Sequence, residues 1–92
     1  MPKIVLASSL ARWIGATGEP SFALGGDTLA AALNELFVVH PNLRSYVVDE
    51  HDTVRHHVAI FIDGVAISDK HDLAIPLAPN TEIYILQALS GG

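Results

Sequence analysis

VAIFIDGVAI, residues 58–67, consists of two runs of β-branched and aliphatic residues separated by Asp63 and Gly64. An Asp-Gly pair between two such runs favours a β-hairpin, because both central residues of a type I′ turn need positive φ and these two residue types tolerate it. We therefore expect two antiparallel strands with Ile62 paired to Val65.

The hairpin also assigns side chains to the two faces of a sheet, since successive residues of a strand point in opposite directions. The residues expected to face the core are Ile60, Ile62, Val65 and Ile67. Phe61 and Ala66 then share the outer face.

Upstream of the hairpin, residues 25–41 read GGDTLAAALNELFVVHP and carry the pattern of an amphipathic helix. The apolar side chains that fall on one helical face are Leu29, Leu33, Leu36 and Phe37. Asp27 or Thr28 can cap the first free N–H groups, and Pro41 disfavours helical geometry at the residue before it. The sequence predicts a helix from about Asp27 to Val39.

Three further runs have strand character: residues 3–10, residues 21–26 (SFALGG) and residues 81–86 (TEIYIL). In the last of these, alternation predicts Ile83 and Ile85 on the inner face, with Tyr84 and Leu86 opposite them. Trp13 is either an exposed contact residue or a cover over one end of the core, and we expect the second because large aromatic residues dominate small cores.

The order of elements is typical of an α+β domain with one main helix on one face of a mixed sheet. Residues 42–57 are ambiguous and leave room for one short strand. If the first and last strands are central neighbours, they are parallel and the helix belongs to their crossover. We expect a single domain over residues 1–86 and a flexible tail over 87–92 that ends in Gly-Gly.

The composition narrows the function classes. The chain has 92 residues, a formal net charge of −5 and no cysteine, and 50% of its residues are hydrophobic. Without a basic run, nucleic acid and anionic membrane surfaces are not expected partners. No stretch has the length of a membrane span and the N-terminus is too broken for a signal peptide, so we expect a cytoplasmic protein.

Five histidines raise the question of a metal site. His51, His56 and His57 lie close in sequence, but they lack regular ligand spacing, and neighbouring residues on a strand point to opposite faces. We predict no metal site and leave the role of these histidines open.

Taken together, the strand-like start, TLAAALNELFVVHPNL (28–43), VAIFIDG (58–64), TEIYIL (81–86) and the final Gly91-Gly92 resemble the ubiquitin-like sulfur-carrier family. This family includes the small subunit of molybdopterin synthase, the thiamine-pathway sulfur carrier, and carriers for amino-acid or siderophore biosynthesis. The resemblance covers essentially the whole chain. It implies a β-grasp fold with a mixed sheet of about four to five strands and one main helix.

The resemblance further implies a protein co-substrate rather than an enzyme. An activating enzyme that uses ATP and Mg would adenylate the C-terminal carboxylate of Gly92, next to Gly91, and the product would become a thiocarboxylate that donates sulfur. This chain itself would bind no cofactor. A sulfur-accepting synthase would be the second partner.

Partner binding is expected on the outer sheet face and along the tail. An apolar area on a sheet face without a covering helix marks an interface. The residues expected to bind partners are Phe61, Ala66, Tyr84, Leu86, Leu89 and Ser90.

Two alternatives remain at this stage. A ubiquitin-like modifier would use Gly92 to form isopeptide bonds with lysines of target proteins. A β-grasp binding module would use its surface alone. The final sulfur acceptor, the pathway and the oligomeric state are not decided by the sequence.

Overall fold

The central feature of the fold is a mixed sheet in which the first and last strands are parallel neighbours. The computed structural model describes residues 1–87. Within them the strands are β1 (Lys3–Leu6), β2 (Ser21–Ala23), β3 (Val58–Ile62), β4 (Val65–Ala66) and β5 (Glu82–Gln87). They form a five-stranded sheet in the order β2-β1-β5-β3-β4. β1 and β5 are parallel and the other pairs are antiparallel, so the condition under which a parallel central pair was expected from the sequence is met.

The helix predicted from the periodicity is α2, Leu29–Val39. Its cap is Thr28, whose side-chain oxygen accepts a hydrogen bond from the Ala31 amide at 3.1 Å. His40 leaves helical geometry with φ of −130°, directly before Pro41. The buried residues of α2 are Leu29, Ala32, Leu33, Leu36 and Phe37, and they pack in one core with the inner faces of β1, β3 and β5.

The hairpin is also confirmed. Ile62 pairs with Val65, and Asp63 and Gly64 have φ of 50° and 85°, as a type I′ turn requires. The Asp63 carboxylate accepts a hydrogen bond from the Glu82 amide at 2.9 Å, which ties the turn to β5. Val65 was expected in the core, but it is 70% exposed because β4 is a two-residue strand at the edge of the sheet.

The first strand is shorter than predicted. β1 ends at Leu6, and α1 (Ser8–Ala11) follows it, because the Ala7 carbonyl accepts hydrogen bonds from the amides of Leu10 and Ala11. A 3₁₀ turn over Arg12–Ile14 then leads into the loop before β2. Trp13 lies on this turn and is 46% exposed, so the prediction that it covers the core was wrong.

The ambiguous segment before the hairpin is mostly helical. It contains a 3₁₀ turn over Pro41–Leu43 and α3 over Arg44–Val47, followed by one isolated bridge between Val48 and Val54.

At the other end of the chain, Gln87 belongs to β5 rather than to the tail, because its backbone pairs with Val58. The rest of the predicted tail, residues 88–92, lies outside the described residues.

Gly26 provides a test of how closely the chain packs where it enters α2. A Cβ atom at Gly26 would lie 2.5 Å from the Ala32 backbone nitrogen, whereas one at Gly25 would have no neighbour nearer than 3.7 Å. We expect Gly26→Ala to lower the free energy of unfolding by roughly 1–3 kcal/mol, because backbone atoms of the helix would have to shift. Urea denaturation measures the difference.

Gly25→Ala is the matched control, and we expect its unfolding midpoint to stay close to that of the natural protein. Equal stabilities for the two variants would contradict the close approach of residue 26 to the helix.

Candidate functional site

The outer face of the sheet carries an apolar surface that no helix within residues 1–87 covers. We call it the open-face patch and define it by the residues Phe61, Ala66, Tyr84 and Leu86. In the sheet register Phe61 pairs with Ala66 on one side and with Tyr84 on the other. Leu86 pairs with Ala59, one row further along β5. The four described residues predicted to bind partners therefore lie together.

A shallow cleft of about 370 Å³ crosses this patch. It is lined by Phe61, Gly64, Glu82, Tyr84 and Leu86. Gly64 and Glu82 were not predicted as site residues. Glu82 could have been found by alternation, because it lies two residues before Tyr84 and so faces the same side of β5.

Charged groups border the apolar residues. The Lys3 ammonium lies 3.3 Å from the Glu82 carboxylate, in a pair that is about half exposed on both sides. Tyr84 donates a hydrogen bond from its hydroxyl to the carboxylate of Glu19. This bond, together with desolvation and the negative charge of Glu19, raises the pKa of the Tyr84 phenol above its ordinary value. Glu19 was missed in the sequence analysis because it lies 65 residues from Tyr84.

β5, which carries two residues of the patch, is also the strand that precedes the predicted reactive C-terminus in the sequence. Leu86 lies on the open face of β5, and Gln87 is the last described residue. Of the residues predicted for tail chemistry and tail recognition, Leu89, Ser90, Gly91 and Gly92 lie outside the described residues.

The histidines do not assemble a metal site. Among residues 1–87, no group of three or more His, Asp or Glu side chains could hold a metal ion. His56 and His57 lie in a turn before β3, with their rings edge to face and their centroids 5.9 Å apart, so they do not point to opposite faces of a strand as expected. His57 also lies edge-on to Tyr46 at 4.9 Å.

None of the helices within the described part of the chain is long and apolar enough to cross a membrane.

Solved structures resemble this chain from end to end. SAMP1 from Haloferax volcanii is 26% identical, with a TM-score of 0.75 over 99% of this chain and 98% of that one. The small archaeal modifier protein 1 from Methanosarcina acetivorans is 27% identical, with a TM-score of 0.77 over 99% and 95%. A chain of the Amycolatopsis orientalis BexX/CysO complex shares the fold at 17% identity, with a TM-score of 0.80 over all of both chains.

The sheet topology and these likenesses together decide the fold. The chain has a ubiquitin-like β-grasp fold. These likenesses confirm the resemblance to the ubiquitin-like sulfur carriers that the sequence indicated. No protein-family model and no curated protein sequence matches the chain.

In this β-grasp protein one hydrogen bond, from the Tyr84 hydroxyl to Glu19, joins the open-face patch to the loop before β2. The pKa of the Tyr84 phenol depends on this bond. In a Tyr46→Phe background Tyr84 is the only tyrosine. We expect its phenol to titrate above the ordinary pKa of about 10, because the bond to Glu19 favours the protonated form. Ultraviolet absorbance of the phenolate as a function of pH measures this pKa.

Adding Glu19→Ala should bring the Tyr84 pKa back toward the ordinary value. Because the folded-state pKa is raised, the stability that this bond contributes is present below about pH 10 and is lost as pH rises through the folded-state pKa. An unchanged titration in the Glu19 variant would show that the two side chains do not interact in solution.

Proposed function

We propose that this β-grasp protein is a sulfur carrier that acts as a co-substrate. Its C-terminal Gly92 carboxylate is adenylated by an ATP-dependent activating enzyme and converted to a thiocarboxylate. The proposal is supported above all by the position of Tyr84 and Leu86 of the open-face patch on β5, the strand that precedes residues 88–92 and their Gly91-Gly92 in the sequence. β5 thus carries part of the proposed docking surface and precedes the proposed reactive carboxylate in the sequence.

The chemistry begins with an unreactive group. An α-carboxylate has a pKa of about 3.5 and is anionic at neutral pH, so it resists nucleophilic attack. A carboxylate oxygen of Gly92 attacks the α-phosphorus of ATP, which forms the acyl adenylate and releases pyrophosphate. A sulfide or persulfide sulfur then attacks the carbonyl carbon and AMP leaves. With sulfide the thiocarboxylate forms directly, whereas a persulfide first gives an acyl disulfide that a thiol must reduce.

Two glycines suit this task. The acyl adenylate must be kept from water, which favours delivery of the carboxylate through a narrow channel of the activating enzyme. Residues without a Cβ atom pass through such a channel, and glycine reaches backbone angles that are closed to other residues. Residues 88–92 span roughly 17 Å when fully extended, which gives the depth to which Gly92 can enter a partner while the sheet remains outside.

Docking on the open-face patch would place the end of β5 at the mouth of that channel. Phe61, Tyr84 and Leu86 are half-buried, and aromatic and aliphatic side chains that fill a pocket contribute most of the energy of an interface. CysO of Amycolatopsis orientalis, which shares the fold, is found in a complex with BexX. We propose that the activating enzyme and the sulfur-accepting synthase each use this patch.

The decisive experiment is a reconstitution followed by intact mass measurement. The purified chain, whose mass first establishes that it ends at Gly92, is incubated with ATP, Mg, its activating enzyme and sulfide. We expect a mass gain equal to the exchange of one oxygen for one sulfur, located at the C-terminus by fragmentation. Absence of this gain, with an activating enzyme that accepts its other substrates, would contradict the proposal.

Deletion of Gly92 separates the chemistry from the fold. We expect the truncated chain to acquire no sulfur, because the carboxylate would be one residue short of the reacting position. Its thermal unfolding midpoint should be nearly unchanged, since the buried core lies within residues 4–85. A truncated chain that still gains sulfur would move the reactive group away from Gly92.

A charge on the open-face patch should weaken docking. We expect Leu86→Asp to raise KM for the activating enzyme at least tenfold, which corresponds to about 1.4 kcal/mol, with a smaller effect on kcat. The matched control is Val38→Asp on α2, a residue that is 80% exposed and lies away from the patch. Equal KM values for the two variants in steady-state assays would show that docking does not use the patch.

A second function has specific support, because two of the similar structures are small archaeal modifier proteins at 26% and 27% identity. A modifier would use the same Gly92 adenylate, with a lysine amine of a target protein in place of sulfide. Cell extracts distinguish the two functions. A tagged chain that modifies targets yields a ladder of covalent adducts resistant to thiols, whereas a carrier yields the terminal thiocarboxylate.

A further inference from the structure

A second cleft lies at the end of β5, on the side opposite the open-face patch. It has a volume of about 600 Å³ and is lined by Ser9, Arg12, Trp13, Tyr46 and Gln87. We call it the Arg12 cleft. Because side chains alternate along β5, Leu86 belongs to the open face, whereas Gln87 points to the other side and borders this cleft. The two surfaces therefore flank Gln87, the last described residue.

Aromatic residues form one wall of the Arg12 cleft. The ring of Trp13 packs on that of Tyr46, with centroids 4.7 Å apart and planes inclined by 37°. The backbone beneath Trp13 is fixed by Asn42, whose side-chain amide donates a hydrogen bond to the Trp13 carbonyl. An exposed tryptophan held in place in this manner offers a large apolar contact at low cost in conformational entropy.

Arg12 places a positive charge in the Arg12 cleft. Four of the five Lys and Arg side chains have polar partners within residues 1–87, namely Lys3 with Glu82, Arg44 with Asp52, Arg55 with the Ser45 carbonyl, and Lys70 with three backbone carbonyls. Among these described residues Arg12 forms no hydrogen bond or ion pair, and none of the described lining residues carries a carboxylate. In a chain with a net charge of −5, this local positive charge favours an anionic partner group.

We infer that the Arg12 cleft binds a loop of the activating enzyme that presents a carboxylate beside an apolar side chain. The carboxylate would pair with the Arg12 guanidinium, and the apolar group would pack on Trp13. A single guanidinium matches a single carboxylate, and the guanidinium fork favours such a planar, bidentate partner.

This inference rests on the proposed function, because the activating enzyme is the partner that must hold the body while Gly92 reacts. Contacts on both sides of Gln87 would fix the direction in which the chain leaves the sheet. Contact on the open-face patch alone would not fix the orientation of the folded domain about the axis of β5.

The test compares two arginine variants that change the charge equally. ATP–pyrophosphate exchange by the activating enzyme is measured with the natural chain, with Arg12→Ala and with Arg44→Ala. Arg44 pairs with Asp52 and lines a different cleft, beside Pro41. We expect kcat/KM to fall at least tenfold for Arg12→Ala and to change less than twofold for Arg44→Ala, with both variants folded by circular dichroism.

Charge reversal locates the partner group. Arg12→Glu should lose more activity than Arg12→Ala, and replacing the contacting carboxylate of the enzyme by Arg should restore it. If the natural chain supports no exchange, the proposed function fails. If the natural chain supports exchange and the two alanine variants behave alike, this inference is overturned while the proposed function stands.

A binding readout that needs no chemistry uses the only tryptophan of the chain, Trp13. We expect the ¹⁹F resonance of 5-fluorotryptophan to shift when the unlabelled activating enzyme is added without ATP, and not to shift in Arg12→Ala. A shift on removal of Gly91-Gly92 from the isolated chain would show that the chain's own C-terminus occupies the cleft, and a shift with protein concentration would indicate a second copy. Either result would overturn the assignment to the enzyme.

Discussion

The parallel pairing of β1 with β5 is the constraint on which the rest of the structure depends. It joins the two ends of the domain in register, from Lys3 with Glu82 to Leu6 with Ile85. The inner side chains of the pair, Ile4, Leu6, Ile83 and Ile85, are fully buried. Parallel neighbours cannot be joined by a tight turn, so the intervening chain must cross the sheet, and α2 covers the core that this crossover encloses. The hairpin then adds β3 and β4 to the free edge of β5.

Alternation along β5 separates the residues of the core from those of the proposed docking surface. The inner residues of β5, Ile83 and Ile85, hold the core, whereas Tyr84 and Leu86 face outward on a side that lacks a helix. A substitution on the outer face therefore removes little buried area. A substitution on the inner face would remove contacts with β1 and α2 together, at a typical cost of about 2–5 kcal/mol for Ile→Ala. The residues proposed for docking on this strand can therefore vary without loss of the fold.

Local patterns in the sequence predicted the parts of the fold that local physics determines. The 3.6-residue period gave α2, the Asp-Gly turn gave the hairpin, and alternation gave the two faces of β5. One error was local, because α1 is formed by hydrogen bonds from the amides of Leu10 and Ala11 to the Ala7 carbonyl, where the sequence suggested a longer strand. The other omissions came from contacts between distant residues. The Tyr84 bond to Glu19 spans 65 residues, and the Arg12 cleft needs Tyr46 and Gln87 as neighbours, so no window of sequence contains these pairs. The Gly91-Gly92 motif was evident from sequence alone, and residues 88–92 lie outside the described structure.

The arrangement explains why a main-chain carboxylate suits a carrier better than a side chain on the body would. A carboxylate on the sheet must be approached across the surface that docks, so binding and reaction would compete for the same area. In the proposed function, five residues beyond β5 could extend roughly 17 Å, so the partner would bury the reacting carbon while it holds a rigid body. The energy of docking on the open-face patch would then be used to position Gly92, because the body would not have to deform when the tail reacts. The partner's selectivity would lie in the folded domain, and two glycines would suffice for the chemistry.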